Sequence, residues 1–503
     1  MEENSVEKNY AHILKYTGIF GGVQGLNILI GLVRNKIVAS LLGPMGMGLT
    51  SLFNSVVNFI SQSTNLGISF SAVRHVSELF DAGDEERIRH FVKVVRSWSL
   101  LTALLGMLVC VVAGPLLSSH TFAWGDHTLH FVLLAPAVGL IAITGGETAI
   151  LKGARQLRSL AVIQLAAIFI ALVISVPIYY FFGQTGIVPV IVLMALATML
   201  LTIRHSYRLY PLQLRGQKGI LGEGMEMVRL GIAFVLAGVM ATGADMIVRS
   251  YLNVVGELDT VGLYNVGYTM TMVYGGMVFI AMETDYFPRL SGVVFDTERA
   301  NQTVNRQIEV SVLIIGPMLV AMLFAVPVMI PVLFTSEFLP VVDMMRFTTL
   351  ALYLRAMKLP VSYIALARGD GKSYLLLEGL YYVGMVAMVI AGYRWWGLTG
   401  TGVALLVLSA AEFFLLYIYT YIKYHYRPSA TAFIYGGAHI AVGVAAFATA
   451  YLTHGWAYWT LGAAIVAASM ALSLVVLRSK TTLWAKLTQR FRQQFGISDR
   501  HEE

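Results

Sequence analysis

The sequence predicts an all-α polytopic membrane protein with about 14 transmembrane helices, and three observations lead to that prediction. Of its 503 residues 57% are hydrophobic and only 13% are Asp, Glu, Lys or Arg, whereas a soluble domain has roughly 25% charged residues. The apolar runs are continuous over about 20 residues, which indicates helices and not the alternating strands of a barrel. The single cysteine, Cys110, allows no internal disulfide and no thiolate metal site. Together these features exclude a soluble enzyme and a disordered chain.

Fourteen apolar segments follow one another along the chain with short connections between them. We place them near residues 14–42, 46–73, 97–117, 129–151, 159–182, 185–203, 230–255, 260–285, 308–335, 342–366, 373–393, 398–421, 431–452 and 457–477. Several exceed the roughly 20 residues needed to cross a bilayer, so we expect tilts or kinks. Since no connection is long enough to form a catalytic domain, function must reside among the helices.

The positions of the basic residues predict the orientation of the chain. Of its 35 Lys and Arg residues, 28 fall on the side that holds the N-terminus, and only Arg249 and Arg394 fall on the other side. Basic loops face the cytoplasm, so both termini are expected there. The first nine residues are polar and acid-bearing, and no apolar core with a cleavage site follows, so no cleavable signal is predicted.

The chain contains a weak internal repeat. The matched pairs are Arg34 with Arg249, Gly48 with Gly262, Gly153 with Gly369 and Gly183 with Gly397, all 214 to 216 residues apart. Because each half holds six spans, the halves enter the membrane in the same direction, as in transporters with a central cavity. We therefore predict two parallel-repeat six-helix bundles, 1–215 and 216–427, then helices 13 and 14 at 428–478. Residues 479–503 form a basic amphipathic tail on the membrane surface. An ancient duplication without a transport role is the alternative.

Five basic residues lie inside predicted spans, where ionisable groups are costly and are functional candidates. Arg34 and Lys36 are two residues apart in span 1 and therefore face different sides, and either could instead extend to the interface. In span 10, Arg355 and Lys358 share a helix face, and Arg355 lies near the middle of the span, so we expect them to line a cavity. Arg346 is three residues from Asp343, and a salt bridge between them is the simpler interpretation.

Carboxylates and amides also occur inside the spans. Asp245, Glu378 and Glu412 are candidates for binding a coupling cation, H⁺ or Na⁺, although Asp245 could simply pair with Arg249. Four amide residues in span 2 recur at helical spacing and either pack helices or line a polar lumen that suits sugars: Asn54, Asn58, Gln62 and Asn65. The sequence has no metal-ligand spacing and no phosphate-binding glycine loop, so we expect no cofactor beyond such an ion and no nucleic-acid partner.

Several local patterns resemble one family of membrane transporters. The patterns are Arg34-Asn35-Lys36, Gly-Pro-Met-Gly-Met-Gly-Leu at 43–49, Arg368-Gly-Asp-Gly-Lys-Ser-Tyr, Glu378 and the glycine turn at 397–402. With the two six-span bundles, they resemble the Wzx-type O-antigen and polysaccharide flippases of the multidrug/oligosaccharidyl-lipid/polysaccharide (MOP) superfamily. The resemblance extends to about residue 425. The two further spans are similar to those of lipid II flippases, in which extra helices line a lipid-tail groove.

The resemblance implies a task and roles for the residues singled out above. Such a flippase moves an undecaprenyl-pyrophosphate-linked oligosaccharide, a repeat unit of O-antigen lipopolysaccharide or a related polysaccharide, across the cell inner membrane by alternating access. Arg34, Arg249, Arg355 and Lys358 would then contact the headgroup or acidic sugars, with Lys36 and Arg346 secondary. Membrane lipids and polysaccharide polymerase or assembly proteins would be partners.

Other functions remain open at this stage. A multidrug exporter of the same superfamily would favour an acidic cavity for cationic drugs, and the five bases inside spans argue against it. A lipid II-type flippase is a second alternative. A membrane polymerase or ligase would need a large external loop, which the sequence lacks, so we expect the protein not to be an enzyme.

Overall fold

In a computed structural model of the protein, the described residues are 2–122, 125–212 and 220–480, with side chains from residue 25 onward except at 220, 221, 226, 230, 233, 234, 280–285 and 480. This part of the chain contains fifteen α-helices and no strand, which confirms the all-α prediction. The helices are α1 (Glu2–Thr64), α2 (Ile68–Ala82), α3 (Glu85–Val112), α4 (Gly114–Thr121), α5 (Thr128–Gly153), α6 (Leu157–Phe182), α7 (Ile187–Leu209), α8 (Ile220–Val255), α9 (Leu258–Tyr268), α10 (Met277–Val293), α11 (Thr297–Leu333), α12 (Val342–Ala367), α13 (Gly371–Tyr424), α14 (Ala430–Leu452) and α15 (Gly455–Lys480). The predicted tail helix lies outside the described residues.

Ten ranges of the described residues are long and apolar enough to span a membrane, and three of them contain two predicted spans each. Glycine breaks divide these three long ranges. Helical geometry is interrupted at Gly43 in α1, at the 3₁₀ turn Gly183–Gly186 between α6 and α7, and at Gly397 in α13. All three glycines have positive φ, which only glycine adopts without a steric penalty. Gly183 and Gly397 are also a matched pair of the sequence repeat.

Two predicted spans differ from the observed helices. Span 2 was expected to reach residue 73, but α1 ends at Thr64, and Leu66 and Gly67 turn the chain with positive φ before α2. Span 8 was expected to be one helix over 260–285, but a π-helical segment, Thr269–Tyr274, separates α9 from α10. Such a bulge shifts the backbone hydrogen bonds by one residue. The carbonyl of Met272 within it accepts a hydrogen bond from the Arg355 guanidinium, an acceptor role that sequence periodicity could not show.

Contacts divide the chain into two compact units. Unit 1 comprises Met1–Val266, Ile330–Pro340 and Glu378–Tyr393, and unit 2 comprises Gly267–Met329, Val341–Leu377 and Arg394–Glu503. A core in unit 1 is built from α2, α3 and α5, and the main core in unit 2 is built from α10 to α14. The units follow spatial contacts and the predicted boundaries 1–215, 216–427, 428–478 and 479–503 follow the sequence repeat, so those boundaries stay a prediction.

One contact inside unit 1 is reciprocal between the two halves of the repeat. Gly48 has no room for a Cβ because the carbonyl of Leu258 lies against it, and Gly262 has none because the carbonyl of Pro44 lies against it. Leu258 follows Pro44 by the same 214 residues that separate Gly262 from Gly48. Each half therefore presents the same two positions to the other, which is the contact that a twofold relation between repeats produces.

Candidate functional site

Arg249 of α8 lies in a network of polar groups within unit 1. Its side chain is buried, forms an ion pair with Asp245 one turn earlier, and donates from Nε to the Ser51 hydroxyl at 2.6 Å. Its Nη2 donates to the Asn265 amide oxygen at 3.0 Å. The network joins α1, α8 and α9. The predicted headgroup contact and the predicted cation-binding carboxylate are therefore partners of each other, which is the simpler of the two interpretations of Asp245.

Arg34 and Lys36 of α1 contact different helices of unit 1, as their spacing predicts. The Nε of Arg34 donates to the Ser175 hydroxyl of α6 at 3.2 Å. The ammonium of Lys36 donates to the carbonyl of Pro331 at 2.7 Å and to that of Phe334, both at the end of α11. The last carbonyls of a helix have no intrahelical donor and carry partial negative charge, so a cation there stabilises the helix end. Lys36 thus already has a structural role.

The second half of α1 has its apolar face inside unit 1 and its amide face accessible. Among the described residues, the amides of Asn58 and Gln62 form no hydrogen bond, and Asn58 is exposed. The buried face on the opposite side of this segment is apolar and comprises Leu52, Phe53, Val56, Val57 and Ile60. The other two amides are engaged locally, Asn54 by the Thr50 carbonyl and Asn65 by Ser69.

Helix α3 has the opposite pattern on its accessible face. Leu100, Leu104 and Leu108 recur every four residues and are 55%, 60% and 60% exposed. Leucines on a membrane helix belong against lipid, whereas an amide without a partner costs several kcal/mol in hydrocarbon. The accessible face of α3 therefore faces lipid. On the amide face of α1, here defined by Asn54, Asn58, Gln62 and Asn65, the exposed amide of Asn58 instead needs water or a polar ligand.

Arg355 of α12 is held in unit 2 by a backbone carbonyl and an aromatic ring. Its Nη1 donates to the Met272 carbonyl in the π-helical segment at 3.1 Å, and its guanidinium lies 5.4 Å from the centre of the Phe279 ring. Within the described residues no carboxylate forms an ion pair with it. A cation–π contact and one carbonyl engage only part of a guanidinium with five donors, so Arg355 can accept an anionic ligand.

Lys358 lies one turn after Arg355 and is buried. Its ammonium forms an ion pair with Glu412 of α13. The hydroxyl of Tyr417 donates to the Met357 carbonyl at 3.2 Å and that of Tyr286 to the Pro360 carbonyl at 2.6 Å on the neighbouring turns. A predicted substrate-binding base and a predicted coupling carboxylate are thus joined, although they were assigned separate roles from the sequence.

The remaining predicted residues are placed as follows. Arg346 lies 3.6 Å from Asp343 and 5.0 Å from the centre of the Tyr451 ring, which confirms the predicted pair. Glu378 lies in the part of α13 that belongs to unit 1 and is partly buried. Among the described contacts within unit 2, none joins Arg346 to Arg355.

Sequence analysis missed one buried ion pair in unit 1. Glu147 of α5 is only 3% exposed and accepts from Arg96 Nε of α3 at 2.8 Å, and Arg96 also donates to the Tyr210 carbonyl at 2.9 Å. Arg96 falls just before the predicted span 97–117, and Glu147 lies within the predicted span 129–151. The partners are 51 residues apart, so helical spacing could not reveal them. A carboxylate inside an apolar span was the available signal.

A second polar cluster lies outside the spans, at the turn between α12 and α13. Asp370 caps α13 by accepting from the Ser373 amide at 3.1 Å, and its carboxylate lies 2.7 Å from the Lys423 ammonium. The hydrogen bond from Lys423, followed by those from Ser373, holds the pKa of Asp370 well below its usual range. The same hydrogen bond raises the pKa of Lys423. The described residues offer no group of three or more His, Cys, Asp or Glu side chains able to hold a metal ion.

The arrangement of the helices is similar to the folds of three solved membrane transporters. The chain is similar to the lipid II flippase MurJ in an inward closed conformation, with a TM-score of 0.71 and 13% identity over 92% of this chain and 99% of that one. The chain is also similar to an inward-facing multidrug resistance MATE transporter, with a TM-score of 0.65 and 16% identity over 83% of this chain and 96% of that one. For a MOP superfamily transporter from Pyrococcus furiosus the TM-score is 0.56 and the identity is 16%, over 85% of this chain and 94% of that one.

The family is shown by sequence. A family model described as polysaccharide biosynthesis protein matches residues 37–343, more than half of the chain, so the protein belongs to that family. A search of the curated proteins finds no match. The family match confirms the expected link to polysaccharide biosynthesis, and the solved structures confirm the expected fold, which multidrug and lipid II transporters share.

Proposed function

We propose that the protein is a flippase that moves an undecaprenyl-pyrophosphate-linked oligosaccharide, a repeat unit of O-antigen or a related surface polysaccharide, across the bacterial inner membrane. Family membership supports the polysaccharide pathway, and the transporter fold supports movement instead of synthesis. The cargo has a charged diphosphate, a hydrophilic glycan and a polyprenyl tail. The first two parts need polar groups within the membrane, and the tail stays in lipid.

The observation that carries the proposal is the guanidinium of Arg355. Its contacts are a carbonyl and an aromatic ring, and no described carboxylate neutralises it. An uncompensated cation inside a membrane span is costly and is retained where a ligand supplies the negative charge. A pyrophosphate suits this site, because a guanidinium donates forked, charge-assisted hydrogen bonds to phosphate oxygens. Lys358, one turn away, is the second headgroup contact.

Coupling to H⁺ or Na⁺ follows from the pairing of Lys358 with Glu412. When a phosphate oxygen takes the place of the Glu412 carboxylate at the Lys358 ammonium, the carboxylate is left without a counterion. A partly buried carboxylate that has lost its counterion inside a span favours binding of a cation, because an unpaired charge there is costly. Cargo binding in unit 2 thereby requires uptake of one positive charge. Asp245 and Glu378 remain further candidates, and Asp245 would first have to leave Arg249.

The basic loops support an orientation with both termini in the cytoplasm. The cargo is then collected on the cytoplasmic side and released outside as one bundle rocks against the other. Arg34, Lys36, Arg249 and Arg346 are assigned as secondary headgroup contacts, and each would first have to leave its protein partner. Membrane lipids surround the helices, and polysaccharide polymerase or assembly proteins receive the product.

A lipid II-type flippase is the second candidate function, and one observation favours it. The match to the lipid II flippase covers 92% of this chain, against 83% for the inward-facing multidrug transporter. Both lipid cargoes share the undecaprenyl pyrophosphate, so Arg355 and Lys358 would serve either. A multidrug exporter is disfavoured, because a cationic drug would be repelled by the Arg355 guanidinium.

The proposal is tested by reconstitution of the purified protein into liposomes. Lipid-linked oligosaccharide extracted from the source cells is placed in both leaflets, and a glycosidase added outside measures how much cargo becomes accessible with time. We expect the wild-type protein to expose the inner pool and the Arg355→Ala protein to leave it protected. Lipid II, probed with an externally added transglycosylase, serves as the competing cargo. Transport of lipid II alone would favour the second candidate, and transport of neither would contradict both.

A further inference from the structure

The amide face of α1 has a chemistry that the pyrophosphate site does not explain. We propose that the side-chain amides of Asn58 and Gln62 recognise the hydroxyl or acetamido groups of the cargo's glycan and so determine which repeat unit is carried. This inference rests on the proposed function and concerns recognition of the glycan by α1 alone.

The first support is that Asn58 is exposed and Gln62 is partly exposed, and within the described residues neither amide forms a hydrogen bond. The opposite face of the same helix segment is buried and apolar. The two amides therefore belong to the polar side of a helix that is packed into unit 1. In a membrane protein, unpaired amides persist only where water or a ligand satisfies them. A surface evolved only for helix packing would place these groups against a partner helix with reciprocal hydrogen bonds.

The second support is the kind of ligand that an uncharged amide selects. An amide offers two donors and one oxygen acceptor, and this matches sugar hydroxyl and acetamido groups, which also donate and accept. It offers no charge to neutralise a pyrophosphate and no apolar area for a polyprenyl tail. Asn58 and Gln62 are one helical turn apart, about 6 Å along the axis. That separation is comparable to the distance across one sugar ring.

The third support is the way in which Gln62 is held. Gly238 of α8 lies against the amide of Gln62, and no space is left there for a Cβ. The glycine surface orients the amide by contact and takes none of its hydrogen bonds. Gly238→Ala should therefore displace the amide group without removing it, which provides a second variant that leaves α1 unchanged.

The test compares two probes that share the headgroup and differ in the glycan. The purified full-length protein is titrated with undecaprenyl pyrophosphate without sugar and with undecaprenyl-pyrophosphate-linked oligosaccharide extracted from the source cells. We expect Asn58→Ala with Gln62→Ala to weaken binding of the glycan-bearing probe by about tenfold, from the loss of two or so hydrogen bonds. Binding of the sugar-free probe should change less than twofold, and Gly238→Ala should act in the same direction.

Asn65→Ala is the matched control, because Ser69 already engages both ends of that amide. It should leave the ratio of the two affinities unchanged, and thermal unfolding of each variant reports any loss of folded protein. An equal loss for both probes, or no loss for either, in the double variant would overturn the inference while leaving Arg355 as the headgroup site. Failure of the wild-type protein to bind either probe would overturn the proposed function, and the inference with it.

Discussion

Arg249 in unit 1 and Arg355 in unit 2 were singled out from the sequence for the same role, and the structure gives them opposite environments. Arg249 is 7% exposed, and a carboxylate, a hydroxyl and an amide oxygen from three helices accept its donors. Arg355 has one carbonyl and the face of a phenyl ring. A guanidinium with its own counterion holds helices together, whereas one without a carboxylate can bind an anion that arrives.

A cation inside a span is informative about function only together with its counterion. The cost of an ionisable residue in a membrane indicates that something neutralises it, but that partner can be protein or ligand. Lys358 lies between the two cases, because its carboxylate partner is part of a second helix and can be displaced. The comparison predicts a graded series of effects on the free energy of unfolding.

Arg249→Ala should have the largest effect. It leaves Asp245 buried in part and without its cation, and it removes the donors that join α1, α8 and α9, which typically costs about 3–5 kcal/mol. Thermal unfolding in detergent and the yield of folded protein measure it. Removing both partners, with Arg249→Ala and Asp245→Ala together, should recover part of the loss. A stable Arg249→Ala protein that fails only in transport would move Arg249 into the same class as Arg355.

The Lys358–Glu412 pair should show an intermediate effect that a charge swap resolves. Lys358→Met leaves the partly buried Glu412 carboxylate uncompensated and should destabilise the protein by about 3 kcal/mol. Exchanging the charges, with Lys358→Glu and Glu412→Lys together, should restore most of the unfolding temperature. Transport in the liposome assay should stay low, because the cation is then on the wrong helix for the cargo. Recovery of transport along with stability would mean that the pair is only structural.

Arg355→Ala should cost little stability and most of the activity. One hydrogen bond to a carbonyl and one cation–π contact are lost, together about 1 kcal/mol. Binding of undecaprenyl pyrophosphate should fall by at least tenfold, since a charge-assisted contact is removed. Arg355→Lys, which keeps the charge but not the fork, should retain an intermediate affinity. If Arg355→Ala lost as much stability as Arg249→Ala, Arg355 would have a structural role like that of Arg249.

Much of the fold was predictable because the bilayer imposes a simple rule on the sequence. Continuous apolar runs predicted the helices, and the breaks within long helices fall at glycines whose positive φ the sequence alone could only suggest. The π-helical segment was not predictable, because a shift of backbone hydrogen bonds leaves no mark on apolar periodicity. For the candidate site, the ion pairs within one helix, Asp245 with Arg249 and Asp343 with Arg346, were predictable from helical spacing. The partner of Lys358, Glu412, was not, since pairing across 54 residues depends on packing.

The smallest effect should come from the ion pair of Asp370 and Lys423, which lies outside the spans and is largely accessible to water. The depressed pKa of Asp370 means that its contribution is present above its usual value near 3.8 and is lost as the pH falls through the lower folded value. The raised pKa of Lys423 means that its contribution is present below its usual value near 10.5 and is lost only as the pH rises through the higher folded value. Between about pH 5 and pH 9 neither group titrates, so Asp370→Asn should lower the unfolding temperature slightly and by the same amount throughout. Unfolding scans at several pH values measure this, with Lys423→Gln as the matched variant. If the difference in unfolding temperature between wild type and Asp370→Asn grew steeply across neutral pH, another titrating group would be coupled to this turn. Exposure of the Asp370–Lys423 pair to water would then no longer explain why its effect is smaller than that of the buried Arg249 network.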